Sequence, residues 1–225
     1  MERTGTAVLG ALTIDTGGPP PILENAVLVI TSQRTQPSLE VAVLIAGDLT
    51  VSGRVAVRGH RPLVILANSV QIDSSAGFDV EPADVPCPAG EGTPGASRMS
   101  AAAGGGGGGG FGAVGAEGGL GATQPPPAAA GGTEVGNVEL VPLRGGCRGG
   151  QGGTPNQALT GASGGLGGGA IQISARQTMV IEGRVAAPGG GGKAASTSTA
   201  GAGGGGGGGG GAILLEASMI ALAGC

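Results

Sequence analysis

Three cysteines, one histidine and a short run of acids hold most of the chemistry this chain could perform. Cys87 and Cys147 bracket a glycine-rich stretch, and a bond between them would close a loop of about 60 residues. In an oxidising compartment such a bond is worth roughly 4 kcal/mol by loop entropy; two free thiols are the alternative. Cys225 is odd and terminal. The spacing excludes Cys-x-x-Cys metal motifs, and the single His60 cannot complete a common zinc site. Asp73, Asp79, Glu81 and Asp84 lie close together, and carboxylates so dense are weak candidates for calcium, a hard cation that favours oxygen. They lack the Asp-x-Asp-x-Asp-Gly loop, and a solvated acidic turn is the plainer reading.

Three motif matches are discounted. Gly161-Ala-Ser163-Gly-Gly165 fits the Gly-x-Ser-x-Gly nucleophile pattern, but it sits in a glycine tract and His60 precedes it, against the hydrolase order. Gly189–Lys193 looks like a phosphate loop, yet Ala187 stands for its first glycine and Ala194 for its Ser/Thr. Gly-x-Gly-x-x-Gly is trivial in so glycine-rich a chain. His60, between Arg58, Arg61 and Pro62, reads as a surface turn residue. No catalytic residue and no cofactor are expected.

The elements that would position any such site are unusual. Glycine (54) and proline (15) make up about 31% of 225 residues, with no Trp or Tyr and two Phe. That share passes the level of roughly 25–30% where low complexity is the default. Only 12% of residues are charged, however, which is unlike a disordered chain. A net charge of −4 and the scarcity of aromatics argue against a nucleic-acid partner. No apolar run approaches the ~18 residues of a membrane-spanning helix.

The apolar segments alternate with period two and are β-branched: Val41–Ile45, Leu49–Val51, Val55–Val57, Leu63–Leu66 and Val70–Ile72. They also repeat. An apolar residue, an alanine, a short turn and two alternating apolar residues recur around Ala46, Ala67, Ala175 and Ala217. Gly53-Arg-Val-Ala-Val-Arg-Gly59 matches Gly183-Arg-Val-Ala-Ala-Pro-Gly189. Ala46 to Ala67 spans 21 residues, about one rung of a parallel β-helix; the later spacings of 108 and 42 carry glycine-rich surplus. Solenoids accept such inserts. The expectation is all-β: a short right-handed parallel β-helix with glycine-rich excursions of polyproline-II type, a β-sandwich being the alternative. The expected organisation is 1–40 N-terminal capping strands, 41–80 β-helix rungs, 81–169 glycine-rich insertion, 170–187 rung, 188–211 glycine-rich insertion and 212–225 incomplete rung, suggesting truncation.

The tracts Gly104–Gly110 and Gly203–Gly211 read either as flexible linkers or as part of an ordered bundle. Ordering nine residues costs roughly 9–18 kcal/mol of backbone entropy, so several segments must lie side by side. Candidate segments are 104–122, 145–153, 161–169, 188–192 and 201–211.

Five phrases, at 61–73 (RPLVILANSVQID), 104–119 (GGGGGGGFGAVGAEGG), 140–153 (LVPLRGGCRGGQGG), 167–192 (GGGAIQISARQTMVIEGRVAAPGGGG) and 203–217 (GGGGGGGGGAILLEA), carry a resemblance. Together they resemble glycine-rich extracellular and surface β-helix-like proteins of the kind abundant in myxobacteria. The resemblance spans 40–225 and implies a secreted or outer-surface protein, with no catalytic set to transfer. The chain departs from that pattern in showing no recognisable signal peptide, Ala7–Ile14 being short and followed by Asp15.

The function expected is a non-catalytic extracellular structural or adhesive protein whose surface could contact polysaccharide or matrix. A polysaccharide lyase or hydrolase is an alternative that would need paired carboxylates, or calcium with a basic residue, on one face. The one aligned charge column is Arg54 with Arg184. An ice-binding protein is a further alternative. Against it, regular Gly-x-x repeats and flat threonine arrays are wanting, and Ser196–Thr199 is too short.

Overall fold

Each short segment alternates apolar and small polar residues, so each strand has one face to bury and needs neighbours to bury it. The computed structural model describes residues 5–19, 23–33, 39–87, 89–97, 102–121, 128–155, 161–195 and 201–223. Among these the fold is all-β, with no helix. The strands are β1 (Thr6–Leu9), β2 (Leu12–Asp15), β3 (Ala26–Ser32), β4 (Glu40–Ala46), β5 (Asp48–Val51), β6 (Arg54–Arg58) and β7 (Leu63–Ala67). They continue with β8 (Ser69–Ile72), β9 (Gly77–Val80), β10 (Ala170–Ala175), β11 (Thr178–Ile181), β12 (Arg184–Ala186), β13 (Ala212–Glu216) and β14 (Met219–Leu222).

Three sheets result, ordered β1-β5-β8-β11-β14, β13-β10-β7-β4-β3 and β12-β9-β6-β2. Consecutive strands enter different sheets: β4, β5 and β6 are followed by β7, β8 and β9 in the same three, and then by β10, β11 and β12. Each strand lies parallel to its counterpart in the preceding set. Leu44 pairs with Ile65, Ala67 with Ala175 and Ser174 with Glu216, so the repeat spacings of 21, 108 and 42 are the registers themselves. This parallel pairing is not that of a sandwich of antiparallel sheets. The exception is β3, antiparallel to β4.

β1 and β2 lie parallel beside β5 and β6 and extend two of the ladders. Likewise β9 makes a strand of residues that the acidic run had marked as a turn.

Inward positions stack into columns. Leu44, Ile65 and Ile173 form one and Leu49, Val70 and Met179 another, all buried, with Phe78 filling the space beside Val55. Each such side chain contributes about 1.5–3 kcal/mol. At the corner before the third sheet the repeated Gly-Arg-Val phrase needs its glycine. A Cβ on Gly53 would sit 2.7 Å from the Gly10 carbonyl carbon, and one on Gly183 would overlap the Ala76 carbonyl oxygen. The chain leaves after β9 and returns to pair β10 with β7, then leaves after β12 and returns to pair β13 with β10. Long excursions add little closure entropy, which grows logarithmically with length.

Candidate functional site

The excursions are hydrogen-bonded to one another in steps of three residues. Gly203, Gly206 and Gly209 donate to the carbonyls of Gly153, Gly150 and Cys147. Gly146, Gly149 and Gly152 donate to Gly168, Gly165 and Ala162; Gly205, Gly208 and Gly211 donate to Lys193, Gly190 and Ala187. The tract Gly104–Gly110 lies among them, receiving bonds from Cys147, Gly150 and Gly153 and donating to Gly204 and Gly207 through Gly106 and Gly109. The linker reading of both tracts is thereby replaced by an ordered bundle.

Two details differ from expectation. The candidate 104–122 doubles back on itself, Gly105 donating to Gly119 and Gly108 to Ala116; residue 122 itself lies outside the described residues. Two further segments join. Gly104, Gly107 and Gly110 donate to Ala96, Thr93 and Gly90, and Gly115 and Gly118 donate to Gly132 and Ala129. The missed signal was glycine at every third place, as in Gly92/Gly95 and Gly115/Gly118/Gly121. The same spacing runs through Gly146/Gly149/Gly152 and Gly161/Gly164/Gly167, so regular Gly-x-x repeats are present after all. In each of these runs an added Cβ would overlap a neighbouring backbone carbonyl.

Side chains are therefore confined to the remaining positions, some buried, as at Cys147 and Thr154, and others exposed, as at Glu91, Pro94 and Gln151. Glu91, Pro94, Arg148, Gln151 and Ser163 line an open groove of about 340 Å³ on the bundle. Ser163 belongs to this groove and His60 to another cavity, so the nucleophile pattern gains no base. In the stretch that looked like a phosphate loop, Gly190 and Lys193 donate their N–H groups to Leu166 and Ser163. Those donors are unavailable to a phosphate.

The second cavity, about 230 Å³, lies where the sheets meet the glycine-rich segments. Gln33, just after β3, clamps Leu143 with its amide: Nε2 donates to the Leu143 carbonyl (2.8 Å) and Oε1 accepts from its N–H (3.0 Å). Arg61, on the turn between β6 and β7, pairs with Glu40 (2.7 Å) and donates to the Thr16 carbonyl (2.8 Å). Arg144 follows the clamped Leu143 and directs Nη2 at the Pro86 carbonyl (3.3 Å) and Cys87 Sγ (3.1 Å). Its Nε is buried without an acceptor. Sequence reasoning missed Arg61 and Arg144 because the fold brings them together from distant segments. His60 is exposed at the rim, as a turn residue.

Cys87 and Cys147 form a buried disulfide with Cα atoms 5.5 Å apart. It ties the segment leaving the sheets to the bundle beside Arg144. Cys225 and Ser196–Thr199 lie outside the described residues. The acidic candidates are not gathered. Asp79 sits between the Arg54 and Arg184 column (3.0 and 3.4 Å), Glu81 pairs with Arg58 (2.9 Å) and Asp84 with Arg148 (3.4 Å). Asp73 is in a turn, its carbonyl accepting from the Ala76 N–H. Among the described residues no three His, Cys, Asp or Glu side chains form a group able to hold a metal, and no helix is long and apolar enough to cross a membrane.

Compared with known proteins, the chain matches no family model, no curated protein and no solved structure.

Proposed function

We propose that the chain is a non-catalytic extracellular structural or adhesive protein. In this reading it is a short right-handed β-helix carrying a polyproline-II bundle, and its bundle surface contacts polysaccharide or matrix. The carrying observation is the step of three. It matches the three residues per turn of a polyproline II helix, and it sets side chains in rows about 9 Å apart along each segment. A rigid lattice that displays Glu91, Arg148, Gln151 and Ser163 in one open groove suits an extended hydroxylated chain better than a compact substrate. The Cys87–Cys147 disulfide fits an oxidising compartment. The resemblance to glycine-rich surface proteins points the same way.

Against the lyase or hydrolase reading, Asp79 of the third sheet and Glu81 just after it are paired with Arg54, Arg184 and Arg58 rather than facing one another. The ice-binding reading draws on the uncharged outer row Gly204, Gly207 and Gly210. Binding to immobilised and insoluble polysaccharides, assayed with product analysis, tests the proposal: retention without turnover is expected. Release of unsaturated or reducing sugars overturns it in favour of an enzyme, and thermal hysteresis without glycan retention overturns it in favour of ice.

A further inference from the structure

The cavity at the junction of sheets and bundle is separate from the groove and has its own chemistry. Its lining holds two guanidinium groups, Arg61 and Arg144, and one carboxylate, Glu40, with His60 exposed at the rim. Glu40 is engaged by Arg61, which leaves the cavity with one uncompensated positive charge at Arg144. Among the described residues no carboxylate pairs with Arg144. Its hydrogen bonds go to one carbonyl at 3.3 Å and to a disulfide sulfur, a weak acceptor, and its Nε finds none. A guanidinium held so is under-satisfied, since it presents five donors and a buried unmade bond costs free energy. It is also preorganised, because Gln33 on one side and the disulfide on the other pin its segment.

Most of the remaining wall is aliphatic, from Leu39, Pro62, Val85, Pro86 and Leu143, with Gln33, His60 and Gly145 completing it. Flat proline and aliphatic faces accept the C–H face of a saturated ring, while a guanidinium accepts a carboxylate in a two-point contact. At about 230 Å³ the space is below the ~300–1,000 Å³ of sites for drug-sized ligands and suits a single ring.

We infer that this cavity binds one carboxylate-bearing saturated ring, a hexuronate unit, with the carboxylate on Arg144 and the ring against Pro62 and Pro86. The inference deepens the proposed function and rests on it for the source of the ring, an acidic polysaccharide. A free sugar acid would offer the same chemistry.

Calorimetric titration with free galacturonate, its neutral methyl ester, galactose and oligogalacturonides separates these cases. Galacturonate is expected to bind at least about tenfold more tightly than the ester or galactose, and the preference is expected to shrink as salt rises. Arg144→Gln is expected to erase it, with the disulfide still present by mass and the strands by circular dichroism. Because that variant could disturb the disulfide's surroundings, the ester comparison on the unaltered protein stands as an independent test. Equal binding of acid and ester, no binding of either, or a preference that survives in folded Arg144→Gln overturns the cavity inference. Retention on neutral polysaccharide would then leave the broader function standing. Tight galacturonate binding without binding of oligogalacturonides or any polysaccharide supports the cavity while removing the polysaccharide as its source.

Discussion

Alanine placed at neighbouring positions of the Gly203–Gly211 tract separates an ordered three-fold packing from a flexible run. A Cβ on Gly206 would overlap the carbonyl oxygen of Gly107, whereas one on Gly207 would meet nothing nearer than Gly190 O at 3.8 Å, an ordinary contact. Neither glycine has a positive φ, so backbone strain does not confuse the comparison. To clear Gly107, the segment must retreat from Gly150, to which Gly206 donates (2.9 Å), and from Gly165, which donates to Gly206 (2.8 Å). Overpacking costs about 1–3 kcal/mol and two weakened bonds about 0.5–1.5 kcal/mol each, so Gly206→Ala should destabilise by roughly 2–6 kcal/mol. Gly207→Ala should be neutral or stabilising by about 0.4–1 kcal/mol, because alanine restricts the unfolded chain. Thermal unfolding reads the difference, at about 2–4 °C per kcal/mol for a chain of this size. Hydrogen exchange should find the amides of Gly203, Gly206 and Gly209 protected. Equal melting temperatures for the two variants, or exchange at unprotected rates across the tract, would refute the packing argument.

Other outcomes follow from the same geometry. Cys87→Ser with Cys147→Ser should cost about 4 kcal/mol, the loop-entropy value for sixty residues, and remove the mass difference between reduced and non-reduced protein. Ile173→Ala, which empties a fully buried column between Ile65 and Leu215, should cost about 2–5 kcal/mol in urea unfolding. Calcium or a chelator should leave the melting temperature unchanged, since Asp79, Glu81 and Asp84 are already engaged by arginines. Asp79→Asn should cost less than about 1 kcal/mol, because its partners Arg54 and Arg184 are solvent-exposed.

Much of the strand architecture was legible because registers leave a trace in sequence. Parallel neighbours repeat the same residues at the same places, so Ala46, Ala67 and Ala175 carry their register in their spacing. Where the trace is short it fades. β1 and β9, four residues each, follow no alanine of the repeated frame, and Asp79 in β9 drew attention to charge instead. The bundle was half legible. Glycine is required wherever backbones touch, but a run of nine glycines hides which third of them faces a neighbour. The cavity was not legible at all. Arg61 and Arg144 meet through a turn, a glutamine clamp and a disulfide, none of which has a local pattern.

The seven glycines 104–110 sit between 90–96, 147–153 and the distant Gly204 and Gly207. That placement ties completion of the bundle to a segment far along the chain. The ladders of β1 to β9 draw on an almost continuous piece of chain and can condense while the remainder is still being made. The bundle cannot close until its last segment arrives, and distant closures are slow. Throughout that interval Gly106 and Gly109, which donate to Gly204 and Gly207, lack their acceptors and have no side chain to shield their amides. The tract whose other amides find partners close by in sequence thus keeps two open for a segment far along the chain.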